Sequence, residues 1–344
     1  MRLRPGLVVL WRREGESQIG ADPRCAVVLE DLTPGEQRVL DHLRHAPTEA
    51  DLVRVGRTAG VGADRVRELV TLLTRSGVLA PEPGRGASPT PRTPEEAYWA
   101  RLRPDADGAA VSSARAAAVV AVLGLDRLGV NLATFLATAG VGTLLLADPT
   151  TVTESDLGPY HPRDVGRRRR EQAVAQLRST FPRLRTAAAP GTRPDVVVAV
   201  STAVADPVRL RPLVRDDVVH MPVVVGEVDV AVGPLVVPGR GPCTRCVDLH
   251  RTDADPCWPA VATQLRAEAP TGTEATVSQL GAALAAHQVL AWLDGREVAV
   301  LGATLEVGAA DPLPVVRRWS VHPECGCTDL ETREPPVAEA ALAT

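Results

Sequence analysis

Val119-Val120-Ala121-Val122-Leu123-Gly124-Leu125-Asp126-Arg127-Leu128-Gly129 is the stretch whose reading decides the fold. Five apolar residues without alternation, Val119–Leu123, suit a strand buried on both faces. Gly124 breaks the strand, and a helical pattern follows from Arg127 to Ala139, where Gly140 stops it. Thr143–Ala147 forms the next apolar strand and delivers Asp148, 24 positions after Gly124. Strand, glycine turn, helix, strand and acid are the order of a nucleotide-binding βαβ unit. Its helix N-terminus faces a phosphate, and its acid is placed to grip a ribose. The second glycine of that fingerprint is replaced by Asp126, which brings a negative charge and added bulk to the place of closest phosphate approach. Two readings therefore stand. Gly124, Gly129 and Asp148 are a vestigial nucleotide site, or the turn is kept for packing alone; Asp126 favours packing.

Outward from this unit, Val196–Val200 and Val223–Val225 are further apolar strands. Helical patterns over Glu171–Phe181 and Pro207–Val214 alternate with them, and a long amphipathic helix is expected over 276–294 before Gly295. The fold class is α/β, a doubly wound, Rossmann-like sheet occupying residues 98–328. A Pro-rich linker over 81–97 precedes it, and a flexible tail over 329–344 follows it.

Residues 1–80 read differently. Three short strands are expected at Leu7–Trp11, Ser17–Gly20 and Cys25–Leu29. Thr33-Pro34-Gly35-Glu36 is a capping box with proline at the first helical position, and it opens a helix to about His45. Helices over Thr48–Arg57 and Ala63–Ser76 follow, the last with Val66, Leu69, Val70, Leu72 and Leu73 at helical spacing. Three strands and three helices make a winged-helix module. Its third helix mixes Arg65, Arg67 and Arg75 with Asp64 and Glu68, which counts against DNA binding. An extended peptide added to the edge strand Cys25–Leu29 fits better, with Ala26, Val28, Arg65, Leu69 and Leu72 as the residues of the groove.

Composition narrows the chemistry. The 344 residues carry 38 basic groups, all of them arginine, against 42 acids, a net charge of −4. A chain without lysine has no P-loop lysine and no Schiff base. The near-neutral balance argues against nucleic acid as a partner. With 45% apolar but only 3% aromatic residues, the cores are built of Val, Leu and Ala. No apolar run reaches the roughly 20 residues of a membrane span, and the N-terminal apolar run is too short for a signal peptide, so a cytoplasmic location is expected.

Four of the six cysteines form two tight pairs, Cys243-Thr244-Arg245-Cys246 and Cys325-Gly326-Cys327. Each pair sets two thiolates on one turn, and two such turns make a closed four-thiolate zinc site of structural type. Buried unligated thiols, or His322 in place of one cysteine, are the alternatives. Cys25 and Cys257 read as small hydrophobes. The run Arg167–Arg170 reads as a solvated helix start, with a phosphate-facing role open to one member. His161, His220, His250 and His287 have no partner at ligand spacing and read as structural.

These motifs, in this order, resemble the ubiquitin-activating-like superfamily of ThiF and MoeB adenylyltransferases. The likeness rests on Val122-Leu123-Gly124 with Gly129, Gly142–Asp148, Asp164-Val165-Gly166-Arg167, Gly241–Cys246 and His322–Cys327. Residues 1–80 are similar to the PqqD-type elements that grip leaders of ribosomally made, modified peptides. The pairing resembles the ThiF-like leader-binding proteins that accompany YcaO cyclodehydratases in azole and thiopeptide pathways. That resemblance implies a homodimer through the large domain and a structural zinc.

It also exposes departures. Asp126 stands where active members have glycine. Asp156-Leu157-Gly158-Pro159-Tyr160 replaces their Asn-Leu-x-Arg-Gln, Arg169 falls at their phosphate lysine, and Ser201-Thr202 falls near their magnesium aspartate, with no acid before Asp206. The expectation is a non-catalytic protein that makes no use of ATP, recognises a precursor through its leader and delivers it to a YcaO enzyme. An active adenylyltransferase acting on a C-terminal carboxylate is the first alternative, and a winged-helix DNA-binding regulator the second.

Overall fold

The computed structural model describes residues 1–80, 92–103, 105–267, 272–311 and 313–328. The expected tail over 329–344 and most of the expected linker, 81–91, lie outside the described residues. The chain divides into two compact units, Met1–Ser113 and Ala114–Thr344.

The first unit opens with β1 (Arg2–Leu3), β2 (Val9–Arg13), β3 (Glu16–Ile19) and β4 (Val27–Leu29), followed by α1 (Pro34–Asp41), α2 (Glu49–Thr58), α3 (Ala63–Arg75), β5 (Leu79–Ala80) and α4 (Pro94–Leu102). β2, β3 and β4 form an antiparallel sheet in that order, while β1 pairs with β5. The Thr33 capping box forms as read: the Thr33 hydroxyl oxygen accepts the Glu36 N–H at 3.2 Å, and Glu36 accepts the Thr33 N–H at 2.6 Å. Past Asp41 the expected helix tightens into a 3₁₀ turn, His42–His45. Helix α4 corrects the linker expectation beyond residue 91. Thr93 caps it, accepting the Glu96 N–H at 3.1 Å, and Pro94 sits in its first turn. Ile19, Val39, Leu40, Leu43, Leu52 and Val66 fill the core of this unit.

Helix α5 (Gly108–Ala117), in which the division between units falls, leads into β6 (Val119–Leu123), α6 (Arg127–Thr138) and β7 (Thr143–Ala147). Then come α7 (Arg169–Thr180), β8 (Val196–Thr202), α8 (Pro207–Arg215), β9 (His220–Val225), β10 (Asp229–Val232), α9 (Thr244–Ala254), α10 (Trp258–Leu265), α11 (Ala275–Leu293), β11 (Ala303–Gly308) and β12 (Val315–Arg318). The seven-stranded sheet runs β12-β11-β10-β9-β8-β6-β7. β7, β6, β8 and β9 are parallel, and β10, β11 and β12 are antiparallel. Its order reverses at β6, which has β7 on one side and β8 on the other. The carboxyl ends of β6 and β8 therefore flank the crevice where such sheets hold ligands.

The parallel strands are buried on both faces, as their unbroken apolar runs require: Val120, Val122, Leu144, Val196, Val198 and Val223 are all in the core. Helix α11 departs from the amphipathic expectation. Val277, Gly281, Ala282, Ala285, Ala286, Val289 and Ala291 are buried on it, together with Ser278 and Gln288. It lies against α6, β10 and β11, and its small residues let it be enclosed on most sides. One buried ion pair anchors its end: the Arg115 guanidinium meets Asp294 at 2.6 and 2.9 Å. No helix among the described residues is long and apolar enough to cross a membrane.

Candidate functional site

The turn from β6 to α6 sits at the sheet's switch point. Gly124 holds φ at +91°, a conformation that disfavours any side chain, and a Cβ there would lie 2.6 Å from the Val200 carbonyl oxygen. A Cβ on Gly129 would lie 2.1 Å from the Gly124 carbonyl oxygen, so both glycines are needed to press helix onto turn. Between them, Asp126 is the N-cap of α6 and its carboxylate accepts the Gly129 N–H at 2.9 Å. Burial pushes this carboxyl above the usual aspartate range, against the pull of the Gly129 N–H and the Arg169 charge.

Asp148, at the end of β7, also turns onto the loop. It accepts the Leu125 N–H at 2.7 Å, and the Thr150 N–H and hydroxyl at 2.8 and 2.6 Å. Burial alone would raise its carboxyl; the bonds from Thr150 and Leu125 outweigh burial and hold it below the usual range. Arg169 crosses the crevice. It is not solvated, as the arginine run suggested, because Asp156 clamps it through Nε and Nη2 at 2.8–3.0 Å, and Asp148 stands 3.5 Å from Nη1. Asp156 is buried in turn, and the Tyr160 hydroxyl donates to the Leu125 carbonyl at 2.8 Å. Two loop N–H groups, those of Leu125 and Gly129, are thus satisfied by the chain's own carboxylates, and the nearest cation is held by two acids. At Ser201-Thr202 there is no carboxylate, and Asp206 caps α8 by accepting the Val208 N–H at 2.9 Å.

The cysteine pairs converge. The Sγ of Cys243 lies 3.9 Å from Cys246 and 3.5 Å from Cys325, and Cys246 lies 3.5 Å from Cys327. All four are buried and unbridged. Four sulfurs at about 2.3 Å from one tetrahedral ion stand about 3.8 Å apart. The observed spacings fit that cage, so these residues could hold a metal. Burial and the crowding of neighbouring thiols push Cys325 up and Cys327 up to about 12, whereas at Cys246 nearby backbone and thiol donors outweigh burial and hold the thiol below its usual range. His322 does not replace a cysteine. Its Nε2 meets Asp253 of α9 at 2.9 Å, and its ring lies edge-on to His250, centroids 4.9 Å apart. His250, read as partnerless, belongs to this cluster: the helical spacing of His250 and Asp253 was visible in sequence, but His322 arrives from 69 residues beyond Asp253. A cavity of about 500 Å³ opens past the ends of β8 and β9 near Ala203, Gly226, Asp229, Glu306 and Trp319.

In the first unit, β4 is the edge of its sheet. Val28 is 41% and Leu72 50% exposed, and Ala26 is half-buried, so these three can meet a ligand. Leu69 cannot, being only 2% exposed in the core of the unit, because it falls on the inner face of α3. Arg65 is engaged by Glu36 at 2.5 Å and Glu68 at 2.7 Å. Trp11, at 72% exposed on β2, was not singled out by the sequence pattern, which marked it only as one of an apolar strand.

The sequence model of the ThiF family matches residues 108–327. The chain belongs to the ThiF family. A search of curated proteins with the sequence finds no match. Among solved structures, E. coli MccB with AMPCPP and MccA superposes with a TM-score of 0.70 at 14% identity, over 96% of this chain and 99% of that one. E. coli MccB with ATP gives 0.67 at 16%, over 95% and 99%. PaaA gives 0.68 at 14%, over 92% and 99%. At these identities the likeness is one of fold, and it runs through both units of this ThiF-family chain.

Proposed function

We propose that this ThiF-family chain is a non-catalytic recognition protein for a ribosomally made precursor peptide. Its first unit, read as a winged-helix, PqqD-type element over residues 1–80, takes the peptide's leader as an added strand along β4, with Val28 and Leu72 as exposed apolar contacts. Its second unit, a homodimer in this reading, brings that peptide to a YcaO cyclodehydratase, which forms the azolines. The four cysteines hold one structural zinc, which ties the 325–327 turn to α9.

The observation that carries the reading is the self-neutralised loop. Adenylyl transfer depends on positive charge and free backbone donors around the phosphates. Here Asp148 and Asp126 occupy the Leu125 and Gly129 donors, and Asp156 holds Arg169. Calorimetry of the full chain with any precursor leader found encoded beside its gene should give binding at micromolar or tighter affinity, and Leu72→Asp should weaken it at least tenfold. Absence of binding to that leader sinks the proposal.

A second reading, an active adenylyltransferase, is favoured by one observation. Gly124, Asp148 and Arg169 keep the positions such a site uses, and MccB, with the same fold, has been crystallised with ATP. ATP–pyrophosphate exchange in the presence of the precursor separates the two: no exchange supports the scaffold, and turnover replaces it with the enzyme.

A further inference from the structure

One face of α9 carries Cys246, His250 and Asp253 at intervals of four and three residues, so all three point the same way. The segment 320–327 lies opposite and meets each of them in turn. Cys327 faces Cys246 at 3.5 Å. The Ser320 carbonyl accepts from His250 Nε2 at 3.0 Å. His322 faces Asp253 at 2.9 Å and is 5% exposed.

The hydrogen bonding assigns the His322 tautomer. Nδ1 accepts the Glu324 N–H at 3.1 Å, so in the neutral ring Nε2 carries the proton and donates it to Asp253 Oδ2. His250, Asp253 and His322 bring their donor atoms within 4.8 Å of one another, the spacing of a three-ligand metal site. An ion at His322 Nε2, however, would force the ring proton onto Nδ1, against the Glu324 N–H. The trio is built for a different task.

We propose that Asp253, His322 and His250 form a latch that positions Cys325 and Cys327 for the metal. This rests on the zinc reading of the four cysteines. Asp253 holds the His322 ring, the ring holds the Glu324 N–H, and this fixes the turn immediately before Cys325. His250 fixes the same segment two residues upstream, at Ser320. The two cysteines nearest the chain's end are thereby aligned on the helix that carries Cys246 before any ion arrives, so the ion pays little of the cost of ordering its ligands.

The test is cobalt titration of the full chain, followed by chelator-driven release, in wild type, Asp253→Ala and Asp253→Asn. Asp253 is 68% exposed at its side chain, so its replacement leaves the core untouched. The latch requires that Asp253→Ala bind cobalt several-fold more weakly, a smaller loss than for a partner bonded directly to a ligand. It also requires an unchanged thiolate-to-cobalt absorption band and an unchanged melting temperature of the metal-free protein. Asp253→Asn, which keeps an acceptor, should recover part of the loss. Equal affinities in all three proteins overturn the latch alone. A second cobalt equivalent without a thiolate band, lost in Asp253→Ala, overturns it in favour of a second metal site. A wild type that takes up no cobalt overturns the zinc reading itself.

Discussion

Two places in the second unit are assembled from distant segments, and they are finished in opposite ways. At the β6–α6 turn, Asp126, Asp148 and Asp156 gather around backbone donors and one arginine, so those donors and that cation find their partners inside the protein. At α9 and the 320–327 segment, four buried sulfurs converge and pack against Val236. In the proposed function, the first place has spent its binding groups on itself, whereas the second keeps its groups for a cation.

The sharpest way to break this contrast is to remove the metal. Cys246→Ser, or exhaustive chelation, should cost about 4 kcal/mol or more, as lost metals do. Calorimetry should then show the second unit melting roughly 8–16 °C lower. An unchanged melting temperature would reduce the cage to four idle thiols.

At the turn, Asp156→Ala should cost about 3 kcal/mol, because it leaves Arg169, 13% exposed at its side chain, with only Asp148 at 3.5 Å and the Thr150 hydroxyl at 3.0 Å as close partners. The same change frees a cation at the crevice. Nucleotide affinity, followed by fluorescence of an ATP analogue, should rise if neutralisation is what closes the site.

Smaller and more diagnostic are the two carboxylates with opposite pKa directions. Asp148 is held low, so its stabilisation is present above the usual aspartate range and is lost as the pH falls through its folded value. Asp148→Asn should thus cost about 1–2 kcal/mol at neutral pH and little in acid. Asp126 is pushed high, so its ionised form is a burden that appears as the pH rises past the usual range. Asp126→Asn keeps the cap and should be neutral in acid and stabilising by under about 1 kcal/mol at pH 7. Denaturant titrations at two pH values check both signs.

Much of the large sheet was legible because buried parallel strands write themselves as unbroken apolar runs: Thr143–Ala147 is read to the residue, and Val119–Leu123 likewise. The cysteine pairs were legible because tight spacing constrains geometry locally. What escaped was set by tertiary meeting. Arg169 and Asp156 are 13 residues apart, and only the crossing of the crevice brings them together. β1 and β5 are two residues each, too short to show any period. Leu69 and Leu72 sit on one helix with the same composition cue, and only the direction of the core tells which is buried. Helix α4 had its Thr93-Pro94-Glu95-Glu96 start signal, masked by the prolines just before it.

The cage joins Cys243 to Cys325 and Cys246 to Cys327, 82 and 81 residues apart. During synthesis the chain emerges N-terminus first, so β6 to β11, the whole parallel core among them, are already outside the ribosome before the last ligand appears. In the proposed zinc reading, an ion that needs all four sulfurs completes its cage only after the sheet has emerged, so it closes a domain already made rather than guiding the sheet into being.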